Sequence, residues 1–204
     1  MEFKTLKTRG SAEFTEKKSV FIGYGSPISG EDDARTFIEE IRRRHRDATH
    51  NCPAYILRGG VKRFSDDGEP GGTAGVPILD VLEKSGITDS CIVVTRYFGG
   101  ILLGAGGLVR AYSHAAKIAI DACGVAVMTE CALMRVSTGY DFYQPLIRIL
   151  ESCGATVDGT DFSENVTVNY CIRAAEADFI SGRIFDSSGG KYTPVKVGTE
   201  YRGL

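Results

Sequence analysis

Residues 95–112, TRYFGGILLGAGGLVRAY, set an arginine near each end of a run with five glycines and put two aromatic residues beside the first arginine. A second glycine-rich run, DDGEPGGTAGVP, covers 66–77. Both lead into stretches that read as helix. A helix N-terminus offers unpaired N–H groups and about half a positive charge, so it suits an anion. Guanidinium forks match phosphate oxygens, and aromatic rings stack on bases. Arg96 and Arg110 are therefore candidates to hold phosphates and Tyr97 to stack. Gly99, Gly100, Gly104 and Gly107 would bring bare backbone up to the ligand. An architectural role has equal standing, because glycine supplies positive φ in turns and lets a helix pack closely on a strand. Neither run matches GxxxxGK[ST] or GxGxxG.

Asp66, Asp67 and Glu69 would repel a phosphate unless something neutralises them. They could hold Mg²⁺, a hard cation that takes carboxylate oxygens. They could pair with Arg96 or Arg110 and so fix the loops, the favoured reading. They could also be an acid–base pair, which nothing in the spacing selects. Asp67, Glu69 and Thr73 are thus expected to order the loop or bind an ion. His50 and Cys52 share one face of an extended segment, as a Cys–His pair or half a metal site would need. The simpler reading makes them a strand-end polar residue and a small buried apolar one. Arg42 to Arg46, RRRHR, wraps around a helix axis and sits where a helix C-terminus favours cations, so it reads as a solvated face. His45 falls on the apolar face as a core residue. His114 has no ligand spacing to another His or Cys.

Elements that could position these residues follow from periodicity. KKSVFIGYGSPI reads as a strand ending near 25–27, and residues 29–50 as a helix with acids first and arginines last. Ala34, Phe37, Ile38, Ile41, His45 and Ala48 line its apolar face. CPAYILRG and SCIVVT read as strands, VPILDVLEKSG as a short helix, and 107–124 as a long one. The pattern then restarts as β-α-β-β-α-β, the order of a ferredoxin-like sandwich. The boundary is expected near 129–132, giving domains 1–131 and 132–204.

The chain has 204 residues, 43% of them hydrophobic, and a net charge of −2. It suits a globular protein of one large or two small domains, without a global basic field for nucleic acid. Six cysteines stand far apart and show no CxxC. With no apolar leader and no membrane-length apolar run, the expectation is a cytoplasmic protein with reduced thiols and no zinc. No metal, cofactor or catalytic residue is expected.

The blocks DDGEPGGTAGVPILDVL and VVTRYFGGILLGAGGLVRAYSHAA, with KKSVFIGY and HNCPAY, resemble the signatures of the YigZ/IMPACT family. The likeness covers most of 17–120. The first block carries the family pattern at Asp67, Gly68, Glu69, Pro70, Thr73, Ala74, Gly75 and Pro77. The second carries it at Arg96, Tyr97, Gly99, Gly100, Leu103, Gly104, Gly107, Leu108, Arg110 and Tyr112. Many relatives have Lys where this chain has Leu102, which removes one charge from the anion site. The resemblance implies an α+β protein: a ribosomal protein S5 domain 2-like N-terminal domain followed by a ferredoxin-like domain, a pair like the last two domains of elongation factor G. Eukaryotic members regulate translation by competing for a scaffold protein that activates the amino-acid-starvation kinase. No catalytic residue is established for the family. The expected function is a non-enzymatic translation-associated regulator binding RNA or a ribosomal surface through a Gly-rich, Arg-flanked crevice between the two glycine-rich runs. The alternatives are a Mg-dependent enzyme on a nucleotide or phosphorylated small molecule, and a protein-interaction module of translational control. No membrane partner is expected, and the sequence does not set the oligomeric state.

Overall fold

A computed structural model describes residues 2–203. The protein is α+β, with two antiparallel sheets and five α-helices among the described residues. It divides into two compact units, Phe3–Val127 and the rest.

The first unit is built on a sheet in the order β2-β3-β6-β4-β5. These strands are β2 (Gly10–Glu16), β3 (Ser19–Pro27), β4 (His50–Ile56), β5 (Lys62–Phe64) and β6 (Ser90–Tyr97). Central β6, SCIVVTRY, is an unbroken apolar run because both its faces are covered. Ile92 and Val94 join one core, with α2 (Gly75–Lys84) and α3 (Ala105–Cys123). Cys91 and Val93 join the other, with Ala34, Phe37 and Ile41 of α1 (Glu31–Arg44). Close contact between α3 and the sheet requires Gly23, where a Cβ would lie 2.4 Å from the Ala115 carbonyl oxygen.

The second unit runs β7 (Val125–Thr138), α4 (Tyr140–Ser152), β8 (Thr156–Phe162), β9 (Val166–Arg173), α5 (Ala177–Ser187) and β10 (Val195–Gly203). β9 pairs with β7 over 131–138 and β10 with β7 over 128–135, so they occupy opposite edges. The order is β10-β7-β9-β8, antiparallel throughout. Met134 and Val136 of β7 meet Leu146 and Leu150 of α4 and Ile180 and Ile184 of α5 in its core.

Three features differ from expectation. The N-terminal residues form strands, β1 (Glu2–Leu6) and β2, and a third short one appears at β5. Their sequences are half polar, and pairing rather than propensity makes them strands, as with β2 on β3 and β5 on β4. α1 stops at Arg44, with His45 as its C-cap, so Ala48 lies beyond the helix. β7 starts at Val125, directly after Gly124, whose φ of +67° ends α3.

Candidate functional site

The run 66–75 folds around its own acids. Glu69 N–H donates to the Asp66 carbonyl, closing a turn whose central residues, Asp67 and Gly68, both have positive φ. One Asp66 carboxylate oxygen accepts from the N–H groups of Ala74 and Gly75 at 3.1 and 2.8 Å, and the other from Gly72 at 2.8 Å. The chain's own carboxylate therefore fills the anion position at the start of α2. Burial would push its carboxyl up, but the three backbone donors outweigh that and hold it below the usual carboxylate range. Thr73 closes the next turn, its hydroxyl donating to the Pro70 carbonyl at 2.7 Å.

Asp67 and Glu69 are equally engaged. Asp67 accepts from the Asn51 N–H at 2.7 Å and from Arg42 at 3.0 Å. Glu69 reaches the interior, where its Oε1 takes a 2.7 Å ion pair from Arg96 Nη1 and a 2.7 Å hydrogen bond from the Tyr112 hydroxyl. The two charged side chains are only 6% and 2% exposed, so the pair needs these extra donors to offset its desolvation. Arg96 also lies over the rings of Phe21 and Phe98 and within 3.4 Å of Ser19 Oγ, while its Nε has no partner. The pairing of loop acids with Arg96 is thus realised at Glu69. Arg110 takes no part in it.

His50 and Cys52 do share a face of β4, and both look at this loop. His50 Nδ1 donates to the Asp67 carbonyl at 2.8 Å, and its Nε2 stands 3.8 Å from Glu69 Oε1. Cys52 Sγ lies 3.1 Å from the Asp66 carbonyl oxygen and 3.6 Å from the Tyr112 hydroxyl. Burial pushes the Cys52 thiol up to about 12, which makes it inert as a nucleophile at neutral pH. Among the described residues, no three His, Cys, Asp or Glu side chains cluster as a metal site.

Tyr97 is also tied down. Its hydroxyl donates to Asp47 at 3.2 Å and lies 2.9 Å from His45 Nδ1. His45 is not simply a core residue: its Nε2 lies 2.6 Å from the Tyr24 hydroxyl, so the imidazole bridges two tyrosines.

The glycines of 99–107 divide by role. A Cβ on Gly99 would sit 2.0 Å from the Lys18 carbonyl carbon, so its bareness lets the segment pack against the β2–β3 turn. A Cβ on Gly107 would sit 2.9 Å from that of Leu103. Gly100 and Gly104 have φ of +81° and +73°, with open space where a Cβ would point. Around them the chain bulges outward: Phe98, Ile101 and Leu102 are exposed, Leu102 by 82%. Arg110 is exposed one turn into α3, and the first turn of that helix holds no acid and its cap makes no side-chain hydrogen bond. Arg110 lines a cavity of about 230 Å³ shared with the β2–β3 hairpin; no residue of 66–75 reaches that cavity. Arg96 and Arg110 therefore lie in different settings, one buried and paired, the other at the surface. Sequence reading missed Asp66 as the filler of the α2 start, because it stands nine residues ahead of the helix, outside any capping spacing.

A model of the Impact N-terminal domain matches residues 17–120. IMPACT family member YvyE of Bacillus subtilis is 38% identical over 189 residues, covering 92% of this chain and 87% of its own. IMPACT family member YigZ of Escherichia coli is 34% identical over 178 residues, covering 85% and 87%. A solved structure titled "Crystal structure of an hypothetical protein" superposes with a TM-score of 0.63 at 30% identity, covering 97% of this chain and 98% of that one. With half the chain matched to the domain and relatives alike over nearly their whole length, this chain belongs to the IMPACT family.

Proposed function

We propose that the protein is a non-enzymatic, translation-associated regulator that contacts RNA or a ribosomal surface through the outer side of residues 98–110. The observation that carries this reading is the exposed, glycine-bent segment beside Arg110, held in place by a buried Arg96–Glu69 pair. In this reading Arg110 holds phosphate. Arg96 and Tyr97 position the segment, since Arg96 is paired with Glu69 and the Tyr97 hydroxyl is engaged by Asp47. Eukaryotic members of the family act in translation, which supports the assignment.

Against the Mg-dependent alternative stands that Asp66, Asp67 and Glu69 each spend carboxylate oxygens on internal donors. The protein-interaction alternative keeps one supporting observation, the exposed apolar tip of Phe98, Ile101 and Leu102. We further propose domains 1–131 and 132–204, S5 domain 2-like and ferredoxin-like. For the second, the strand order β10-β7-β9-β8 in a β-α-β-β-α-β chain supports the reading.

Sedimentation of the protein with ribosomes from lysate, with and without RNase, tests the function. RNase-sensitive association that weakens in Arg110→Ala, with a salt slope lower by about 0.7 on single-stranded RNA, supports RNA contact. RNase-resistant association lost in Leu102→Asp would move the reading to a protein partner. No association in either condition would sink it.

A further inference from the structure

The β2–β3 hairpin has an unexpected tip. Glu16 pairs with Ser19, so Lys17 and Lys18 form a two-residue loop, and both have positive φ, 45° and 66°. Such a loop is a type I′ turn, which favours Asn-Gly. Two lysines held there cost stability, and strain of this kind is retained where the side chains serve a function. Lys17 lies at the edge of the 230 Å³ cavity. Facing it from α3 are Arg110 and His114, one turn apart on the same side of the helix. The Phe14 ring, in edge contact with His114 at 4.6 Å between centroids, adds an apolar wall. Among the described residues, Glu16 is the one acid lining the cavity. Among the described residues, no ion pair engages Lys17, Arg110 or Glu16.

We propose that this cavity receives a phosphate monoester, the terminal phosphate of an RNA strand, held by Lys17, Arg110 and His114. The inference rests on the RNA reading above and makes it specific. Three nitrogen-bearing side chains on two elements match the three terminal oxygens of a monoester, whereas a diester presents two. A monoester also carries about −1.5 to −2 charge at pH 7, enough to answer two fixed cations. Glu16 sets a limit, since it opposes the anion on its side of the cavity.

The test compares one ten-nucleotide RNA carrying a 5′-phosphate with the same strand ending in a 5′-hydroxyl, and adds uridine 5′-monophosphate followed by amide NMR on the full chain. The phosphorylated strand is expected to bind about tenfold tighter, as charge-assisted hydrogen bonds allow. That preference should vanish in Arg110→Ala and in the double variant Lys17→Asn, Lys18→Gly. The double variant is expected to melt at a higher temperature than the parent, because its turn is relieved, so its loss of preference would not reflect misfolding. Equal binding of both strands would overturn the monoester site and leave the RNA reading standing. A preference that survives in the double variant would also overturn it. If neither strand binds, the RNA reading falls. Uridine monophosphate that then shifts residues 107–114 would keep the site, and one that shifts nothing would remove it as well.

Discussion

Arg96 Nη1 and Glu69 Oε1 meet at 2.7 Å inside the first unit, and Glu69 is held there a second time by the Tyr112 hydroxyl. The contact joins the end of β6 to the loop before α2 and to the middle of α3. It is therefore a structural clamp on three segments that the sequence offers as binding elements.

Removing one partner strands the other charge in the interior. Arg96→Ala or Glu69→Gln should each lower stability by about 3–5 kcal/mol. The joint change Arg96→Met with Glu69→Leu should lower it by less than either single change, because no buried charge is left behind. Urea denaturation of the three variants measures this. Equal costs near zero would mean that the pair is solvated and easily replaced.

Asp66 gives a pH dependence with a definite sign. Its folded-state carboxyl is held below the unfolded value by the N–H groups of Gly72, Ala74 and Gly75. Its contribution is therefore fully present above the unfolded value, about 3.9, and is lost as pH falls through the lower folded value. Asp66→Asn should flatten the acid limb of a stability profile between about pH 5 and pH 2. An unchanged acid limb would contradict the capping role.

Two glycines seven residues apart should respond in opposite directions. Gly99→Ala drives a methyl into the Lys18 backbone and should destabilise by at least about 1–3 kcal/mol. Gly106 is helical, and a Cβ there meets only the flexible Arg110 end at 3.6 Å. Gly106→Ala should stabilise by roughly 0.5–1 kcal/mol. Melting temperatures of the two variants separate packing glycines from tolerant ones.

β7 sets a condition on isolating the second unit. Met128 to Cys131 pair with Gly203 to Glu200 of β10, in that order. A fragment starting at 132 loses those four pairings, and one starting at 128 keeps them. Both should give dispersed amide spectra, with the longer fragment unfolding at higher denaturant. Disorder in both would refute an independent second domain.

How much of this was legible depends on where each signal lies. α1, α2, α3 and α4 are readable because their buried residues recur at helical spacing within one segment. β6 is readable because a strand covered on both faces is apolar throughout. β1, β2 and β5 are not, since GSAEFTE and KRF carry no apolar stripe of their own and become strands by pairing with the neighbouring β3 and β4. The acidic loop was legible in kind, acids near arginines, but not in pairing. Nothing local says that Glu69 turns inward to Arg96, that Asp67 turns to Arg42, or that Asp66 caps α2. The glycines near 99 were ambiguous for the same reason: what a missing Cβ makes room for is known only when the facing backbone is known. Lys17 gave no sign at all, because positive φ at a lysine cannot be read from its type.

The bridge from Tyr24 through His45 to Tyr97 bears on the charge of the arginine-rich run. The Tyr97 hydroxyl gives its proton to Asp47, so it accepts from His45 Nδ1–H, and the lone pair on Nε2 accepts from the Tyr24 hydroxyl. That arrangement uses the neutral imidazole completely. Burial, and then the neighbouring Arg44 charge, hold the ring below the usual histidine range, with Asp47 opposing them only in part. RRRHR is therefore a four-charge segment at neutral pH, with its one uncharged member turned inward as a fastener. A polyanion approaching this helix end would gain nothing from the histidine, and mild acid would not add a fifth charge until the bridge had broken.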